Sequence, residues 1–219
     1  MIVQIYEVST AEEAIALEGL GVDHIGVLVG NGAFPRELPT TSARSIFEVL
    51  GPATKRVALS LSDQLEEIAR VVADTMPDII HVGAAVDLLS VDRMRELKAA
   101  FPDVLLMRAI PVLGEASLSL AKQYADIADF LLLDSHEPGD KQIGALGRIH
   151  DWRISRRIAE TVKTPVILAG GLGPDNVAAA IRAVRPYGVD SKTRTDRADR
   201  GGKDLERVRE FVTAAKLLA

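Results

Sequence analysis

One feature constrains this chain more than any other: short apolar runs alternate with longer amphipathic stretches from one end to the other. The apolar runs predict strands at residues 3–6, 24–29, 56–61, 79–82, 105–110, 130–133, 166–169 and 187–190. Several are continuous rather than alternating and rich in β-branched residues, which suits strands buried on both faces of a parallel sheet. Between them lie helical patterns such as "AEEAIALEGL", "SDQLEEIARVVADT", "SVDRMRELKAA" and "PDNVAAAIRAVR", and the chain closes on "DLERVREFVTAAKLL". Ser, Thr, Asp or Pro opens each, as a helix start requires. Eight strand-helix units with no linker between them predict an α/β fold, a single (β/α)8 TIM barrel spanning residues 1–219 as one domain. An open doubly wound sheet is the alternative arrangement of the same units.

Composition narrows the partners. The 219 residues carry 26 Lys+Arg against 31 Asp+Glu, a formal charge of -5, so no basic field favours nucleic acid and a small-molecule ligand is expected. Cysteine is absent, which removes disulfides, thiolate metal sites and thiol catalysis together. No apolar run approaches the roughly 18 residues of a membrane span, and "MIVQIYEVST" lacks a basic leader, so a cytoplasmic protein without a membrane partner is expected. The four histidines are scattered with no helical i, i+4 pair, so neither a metal nor another cofactor is expected.

In a barrel of this kind the site lies at the carboxyl ends of the strands. The segments there are "YEVST", "GNGAFPREL", "SLSD", "HVGAA", "PVLGE", "DSHEPGDKQIGALGRIHDW", "GGLGPDN" and "DSKTRTDRADRGGKD". The sixth and eighth are long and rich in glycine and charge, more than bare connections need. In "VILAGGLGPDNV", Gly170 and Gly171 end a strand, and Pro174 is placed to open the next helix. Strand, glycine turn and helix start together make a candidate anion site; a tight turn with no ligand is the plain alternative.

These residues resemble the phosphoribosylanthranilate isomerases of tryptophan biosynthesis. The likeness rests on "AGGLGPDNV", on "RPYGVDS" followed by "GGKD", and on "FLLLDS" followed by "QIGALGRIHDW"; "DHIGVLV" ahead of Arg36 adds to it. The resemblance implies a (β/α)8 barrel and an Amadori rearrangement, in which an aminoaldose phosphate opens its ring and becomes an aminoketose. It implies that Gly170 and Gly171 cradle a substrate phosphate, with Asp190, Ser191 and Thr193 in the neighbouring loop. Asp134 matches the family's general acid, which must hold its proton near neutral pH. Arg36 matches an arginine near the substrate's aromatic carboxylate. A phosphosugar is the implied substrate, and a monomer or a homodimer the expected state.

The departures bear on the base. The family has a catalytic cysteine within Lys-Ile-Cys-Gly, whereas this chain reads "QIYE", which places Tyr6 at the cysteine. A phenol, with an ordinary pKa near 10, is a poor base. Glu7 can take that role if the strand ends early and its side chain turns over the rim; otherwise it is a solvated strand-end residue. His81, in "IIHVGAAVD", reads either as a proton shuttle or as a satisfied core group. Lys192 and Arg194, in "SKTR", replace small family residues and either bind an anion or form a solvated loop. His136 and Arg148 fall in the long sixth loop; His150, with Trp152, reads as its fixed end. A different phosphosugar enzyme, an epimerase or lyase, and a non-catalytic phosphosugar-binding paralogue are the alternatives on the same barrel.

Overall fold

The computed structural model describes residues 1–144, 146–199 and 201–218; Ala145 of the sixth loop and Arg200 of the eighth lie outside the described residues, as does Ala219. The strands are β1 (Ile2–Ile5), β2 (His24–Leu28), β3 (Lys55–Ser60), β4 (Ile79–Val82), β5 (Leu105–Pro111), β6 (Phe130–Asp134), β7 (Val166–Leu168) and β8 (Gly188–Ser191). Each pairs in parallel with the next, and β8 returns to β1 in the register Ile2 to Gly188 and Ile5 to Ser191, closing the barrel. The helices are α1 (Ala11–Gly19), α2 (Thr40–Glu48), α3 (Leu65–Thr75), α4 (Val91–Ala100), α5 (Ala116–Ala125), α6 (Trp152–Thr161), α7 (Val177–Val184) and α8 (Leu205–Lys216). The chain is thus a (β/α)8 TIM barrel.

Capping follows the expected residue types at four helices, whereas α3 begins at Leu65 behind Gln64, whose side chain makes no cap bond. Thr10 accepts from the Glu13 amide, Ser90 from Arg93, Asp151 from Arg153, and Asp204 from Glu206 and Arg207. Each satisfies an amide that the first helical turn leaves without a partner. Pro174 departs from its expected place: α7 begins at Val177 behind Asn176, because Asn176 spends its side chain on the preceding turn. Its Oδ1 accepts from Gly173 N at 2.9 Å and its Nδ2 donates to Gly171 O at 3.0 Å.

Two layers of core position the site. A large cluster fills the space between strands and helices, with Ile5, Val27, Ala58, Ile80, Leu131, Leu168, Val189 and Phe211 all buried. A smaller one, Tyr6, Val57, Ile79, Met107, Leu132, Ile167 and Ala169, fills the barrel interior. The Tyr6 ring fits there because β2 carries Gly26 opposite it: a Cβ at Gly26 would lie 2.9 Å from Tyr6 Cγ and overlap the ring edge. Beside this apolar plug runs a polar chain. His24 Nδ1 lies 3.0 Å from Gln4 Oε1, and Gln4 Nε2 donates to Asp190 Oδ1 at 3.2 Å, with Gln4 fully buried.

Where the strands stop decides which side chains reach the rim. Strand β1 ends at Ile5, one residue earlier than the sequence predicts, and Glu7 adopts φ 58°. Strand β6 runs one residue further and carries Asp134, and β8 carries Ser191.

Candidate active site

The carboxyl end of the barrel opens into a cavity of about 540 Å³, within the range of small-molecule sites. Its wall includes Tyr6, Glu7, Arg36, His81, Asp134, Asp190 and Lys192. A smaller pocket adjoins it, formed by Gly147, Gly170, Gly171, Leu172 and the loop of residues 191–194, and shares Asp134, Asp190, Lys192 and Thr193 with it. The residues singled out in the sequence as catalytic or substrate-binding therefore line one continuous region.

Glycine is required around Asp134 by packing as well as by backbone angle. Gly144 has φ 92°, and a Cβ there would overlap Asp134 Oδ2 and lie 2.9 Å from its Cγ. At Gly170, φ 85°, a Cβ would meet His150 Nδ1 at 2.8 Å and Asp134 Oδ1 at 3.2 Å. At Gly171, φ 62°, it would meet Gly147 O at 2.8 Å. The glycine turn after β7 is thus pressed against the sixth loop, so its two glycines serve that contact in addition to any ligand. The smaller pocket keeps backbone donors: among the described residues the amides of Gly171 and Leu172 find no acceptor.

In the eighth loop both cations that line the smaller pocket also have protein partners. Lys192 does not surround the smaller pocket with a free ammonium; its Nζ pairs with Glu7 Oε1 at 2.8 Å. Arg194 donates from Nη2 to Asp175 at 2.7 Å and from Nη1 to Gly171 O at 3.2 Å, so its guanidinium braces the glycine turn from outside. Thr193 opens a single 3₁₀ turn, Thr193–Thr195.

Glu7 stands at the centre of an ion cluster. A regular strand would send it toward the helices, since Tyr6 faces inward. The left-handed backbone at Glu7 instead turns its side chain to the cavity, a conformation unusual for a residue with a Cβ. Its carboxylate meets Lys192 and also Arg36 Nε at 3.3 Å, while its carbonyl accepts from Arg36 Nη2 at 2.7 Å. Arg36, itself at φ 66°, gives its third nitrogen to Asp196 at 2.9 Å. Asp196 in turn pairs with the buried Lys203 at 2.6 Å. Protein acceptors therefore engage all three guanidinium nitrogens of Arg36. Asp196 and Lys203 were not singled out in the sequence, although "GGKD" carried part of the resemblance. What joins them is an antiparallel bridge between the two, invisible in spacing alone.

Histidine 81 is placed as a core group. Its Nδ1 lies 2.6 Å from the Tyr6 hydroxyl and its Nε2 is buried without a partner among the described residues. Burial lowers the imidazole pKa to about 3, so it is neutral, and burial likewise pushes the Tyr6 phenol well above its ordinary value. Phenol and imidazole thus satisfy one another at the cavity floor. His150 is neutral for the same reason, its pKa lowered to about 4, and its Nε2 lies 2.7 Å from Ser155 Oγ. His136 holds the sixth loop through Nδ1 to Gln142 O at 3.0 Å, and Arg148 pairs with Glu137 on its surface.

The two aspartates at the strand ends behave differently. Asp190 is buried, and its pKa is raised to about 8 by burial and then by the charge of Asp134; the hydrogen bond from Gln4 opposes the rise. It is therefore largely protonated at neutral pH. Asp134 accepts from the amide of Ser135 at 2.7 Å, which fixes its carboxyl against the start of the sixth loop.

Comparison with known proteins agrees with this geometry. The family model described as N-(5'-phosphoribosyl)anthranilate (PRA) isomerase matches residues 39–214. A relative in Methanocella arvoryzae named N-(5'-phosphoribosyl)anthranilate isomerase is 35% identical over 215 residues, covering 98% of both chains. One of the same name in Haloferax volcanii is 33% identical, covering 98% of this chain and 92% of its own. The solved structure of N-(5'-phosphoribosyl)anthranilate isomerase from Pyrococcus furiosus superposes with a TM-score of 0.79 at 30% identity and 99% coverage of each chain. The chain accordingly belongs to the N-(5'-phosphoribosyl)anthranilate isomerase family and is an isomerase of that type.

Proposed function

We propose that this isomerase carries out an Amadori rearrangement on a phosphoribosyl amine, with phosphoribosylanthranilate as the substrate that its relatives' name supplies. The observation that supports the reading is the junction of the two pockets: a small one rimmed by backbone amides, and a large one reached from it past Asp134. The phosphate sits against Gly170, Gly171 and the loop of Ser191, Lys192, Thr193 and Arg194. Asp134 protonates the ring oxygen as the C1–O bond breaks, leaving an iminium. Burial holds one proton on Asp190 to about pH 8 beside the charge of Asp134, so the two strand-end carboxyls share a proton, and the step uses the form in which it sits on Asp134. Glu7 takes the proton from C2 to give the enolamine; protonated Glu7 then returns it to C1 while the C2 hydroxyl gives its proton back to the Asp134–Asp190 pair, so the aminoketose forms and both groups are restored. Lys192 and Arg36 fix the Glu7 carboxylate at the cavity wall.

The test is turnover of phosphoribosylanthranilate by Asp134→Asn and Glu7→Gln. Loss of an acid or a base lowers kcat by about 100-fold or more, so both variants are expected to fall that far. Full turnover by Asp134→Asn would refute the mechanism; full turnover by Glu7→Gln alone would move the base elsewhere. One observation favours a second reading, a different phosphosugar without the aromatic carboxylate: Glu7 and Asp196 already engage Arg36. Failure to complement an auxotroph lacking the isomerase would select it.

A further inference from the structure

Arg108 lies on β5, outside the barrel, beside the inward-facing Met107. It is fully buried, and its Nε and Nη2 have no partner among the described residues. Such a guanidinium is costly to bury, and burial lowers its pKa. Among the described residues it meets two carbonyls and Tyr124, whose hydroxyl opposes the lowering. Nη1 donates to Val82 O at 2.8 Å and to Ala84 O at 2.7 Å, and the guanidinium carbon stands 5.2 Å from the centroid of Tyr124.

The first carbonyl adjoins, and the second belongs to, the segment on which the sixth loop docks. Ile143 N donates to Gly83 O at 2.8 Å and Ala85 N to Lys141 O at 2.8 Å, with an antiparallel bridge between Ala84 and Gln142. The docked stretch then supplies Gln142 and Ile143 to the wall of the main cavity. We infer that Arg108 is a positioning residue for this strap: by gripping the carbonyls of Val82 and Ala84, it fixes residues 83–85 as the edge that holds residues 141–143 over the substrate cavity. It touches no reacting atom and acts through backbone on both sides. The alternative, a buried cation that merely fills space, predicts no special link to the strap.

The experiment is amide hydrogen exchange on the full chain, wild type against Arg108→Met. Methionine fills much of the volume without a donor, so it removes the grip on both carbonyls while keeping the site packed. The Ile143 and Ala85 amides are expected to exchange about tenfold faster or more, while the Ala169 and Val189 amides of the barrel keep their wild-type protection. Strap amides at wild-type protection, or accelerated only in step with Ala169 and Val189, would overturn the assignment. Should Arg108→Met fail to fold, Arg108→Gln, too short to reach both carbonyls, is judged by the same amides. A kinetic arm rests on the proposed function: KM for phosphoribosylanthranilate is expected to rise about tenfold with kcat within about threefold, the signature of lost substrate binding. Faster strap exchange with unchanged KM keeps the role of Arg108 and counts instead against this cavity as the substrate site.

Discussion

Gly144→Ala is the sharpest probe of Asp134, because a matched control exists in the same loop. The new Cβ would overlap Asp134 Oδ2 and stand 2.9 Å from Cγ. Carbon atoms prefer a separation of about 3.5–4.0 Å, so the carboxyl has to withdraw by roughly 1 Å. Misplacing a reacting group by that much costs on the order of 100-fold in rate, or about 2.7 kcal/mol of transition-state stabilisation. The backbone adds a separate cost, since φ is 92° and a side chain there is strained by about 1–3 kcal/mol. Gly139→Ala isolates that second cost: φ is 98°, and nothing lies within 4 Å of its Cβ. In denaturant titration both variants are expected to lose the backbone cost, and Gly144→Ala at least as much as Gly139→Ala. In initial-rate assays at saturating phosphoribosylanthranilate, Gly139→Ala should stay within about twofold of wild type and Gly144→Ala should fall about 100-fold. Equal kcat values for the two variants, both folded, would show that the position of the Asp134 carboxyl does not govern the reaction.

Two further outcomes follow from the buried polar groups. The unfolded chain ionises Asp190 above about pH 4, whereas the native protein keeps it protonated to about pH 8. The native state therefore binds the extra proton, and stability from this group falls as pH rises between those values and levels off above them. Asp190→Asn should remove that slope in Tm against pH; curves that stay parallel from pH 5 to 8 would contradict the shift. Tyr6→Phe takes away the 2.6 Å bond to His81 and leaves a buried nitrogen unpaired, a loss of about 1–3 kcal/mol. Urea unfolding should show it as a lower midpoint with unchanged slope, and no movement of the midpoint would mean that the hydroxyl is not held as described.

How much of the site was legible depends on what each residue's placement required. Asp134 was found because four apolar residues carry it to the rim, and strand direction alone delivers a strand-end residue there. Gly170 and Gly171 were found by the same logic, but their reason was only half visible: their contact with the backbone of Gly147 and Arg148 joins segments more than 20 residues apart. The loop that carries Lys192 and Arg194 is legible, but nothing in "SKTR" tells which carboxylate, Glu7 or Asp175, each cation reaches within the protein. The pairing of Tyr6 with His81 spans 75 positions and exists only because β1 and β4 face each other across the barrel.

By itself, then, the sequence determined the parts that depend on local pattern: eight apolar runs and the amphipathic helices between them, the caps at Thr10, Ser90 and Asp204, and the rim loops. These are set by hydrophobic periodicity and by hydrogen bonds that close within a few residues. Tertiary structure alone decided that Glu7 faces the cavity. Its neighbour Tyr6 is fixed inward by the space over Gly26, and alternation would then send Glu7 out. Arg36 and Lys192, brought in from the second and eighth loops, meet the Glu7 carboxylate in a left-handed backbone that local preference disfavours. That conformation persists where long-range ion pairs outweigh a local cost of about 1–3 kcal/mol, and no window of sequence contains both sides of that balance.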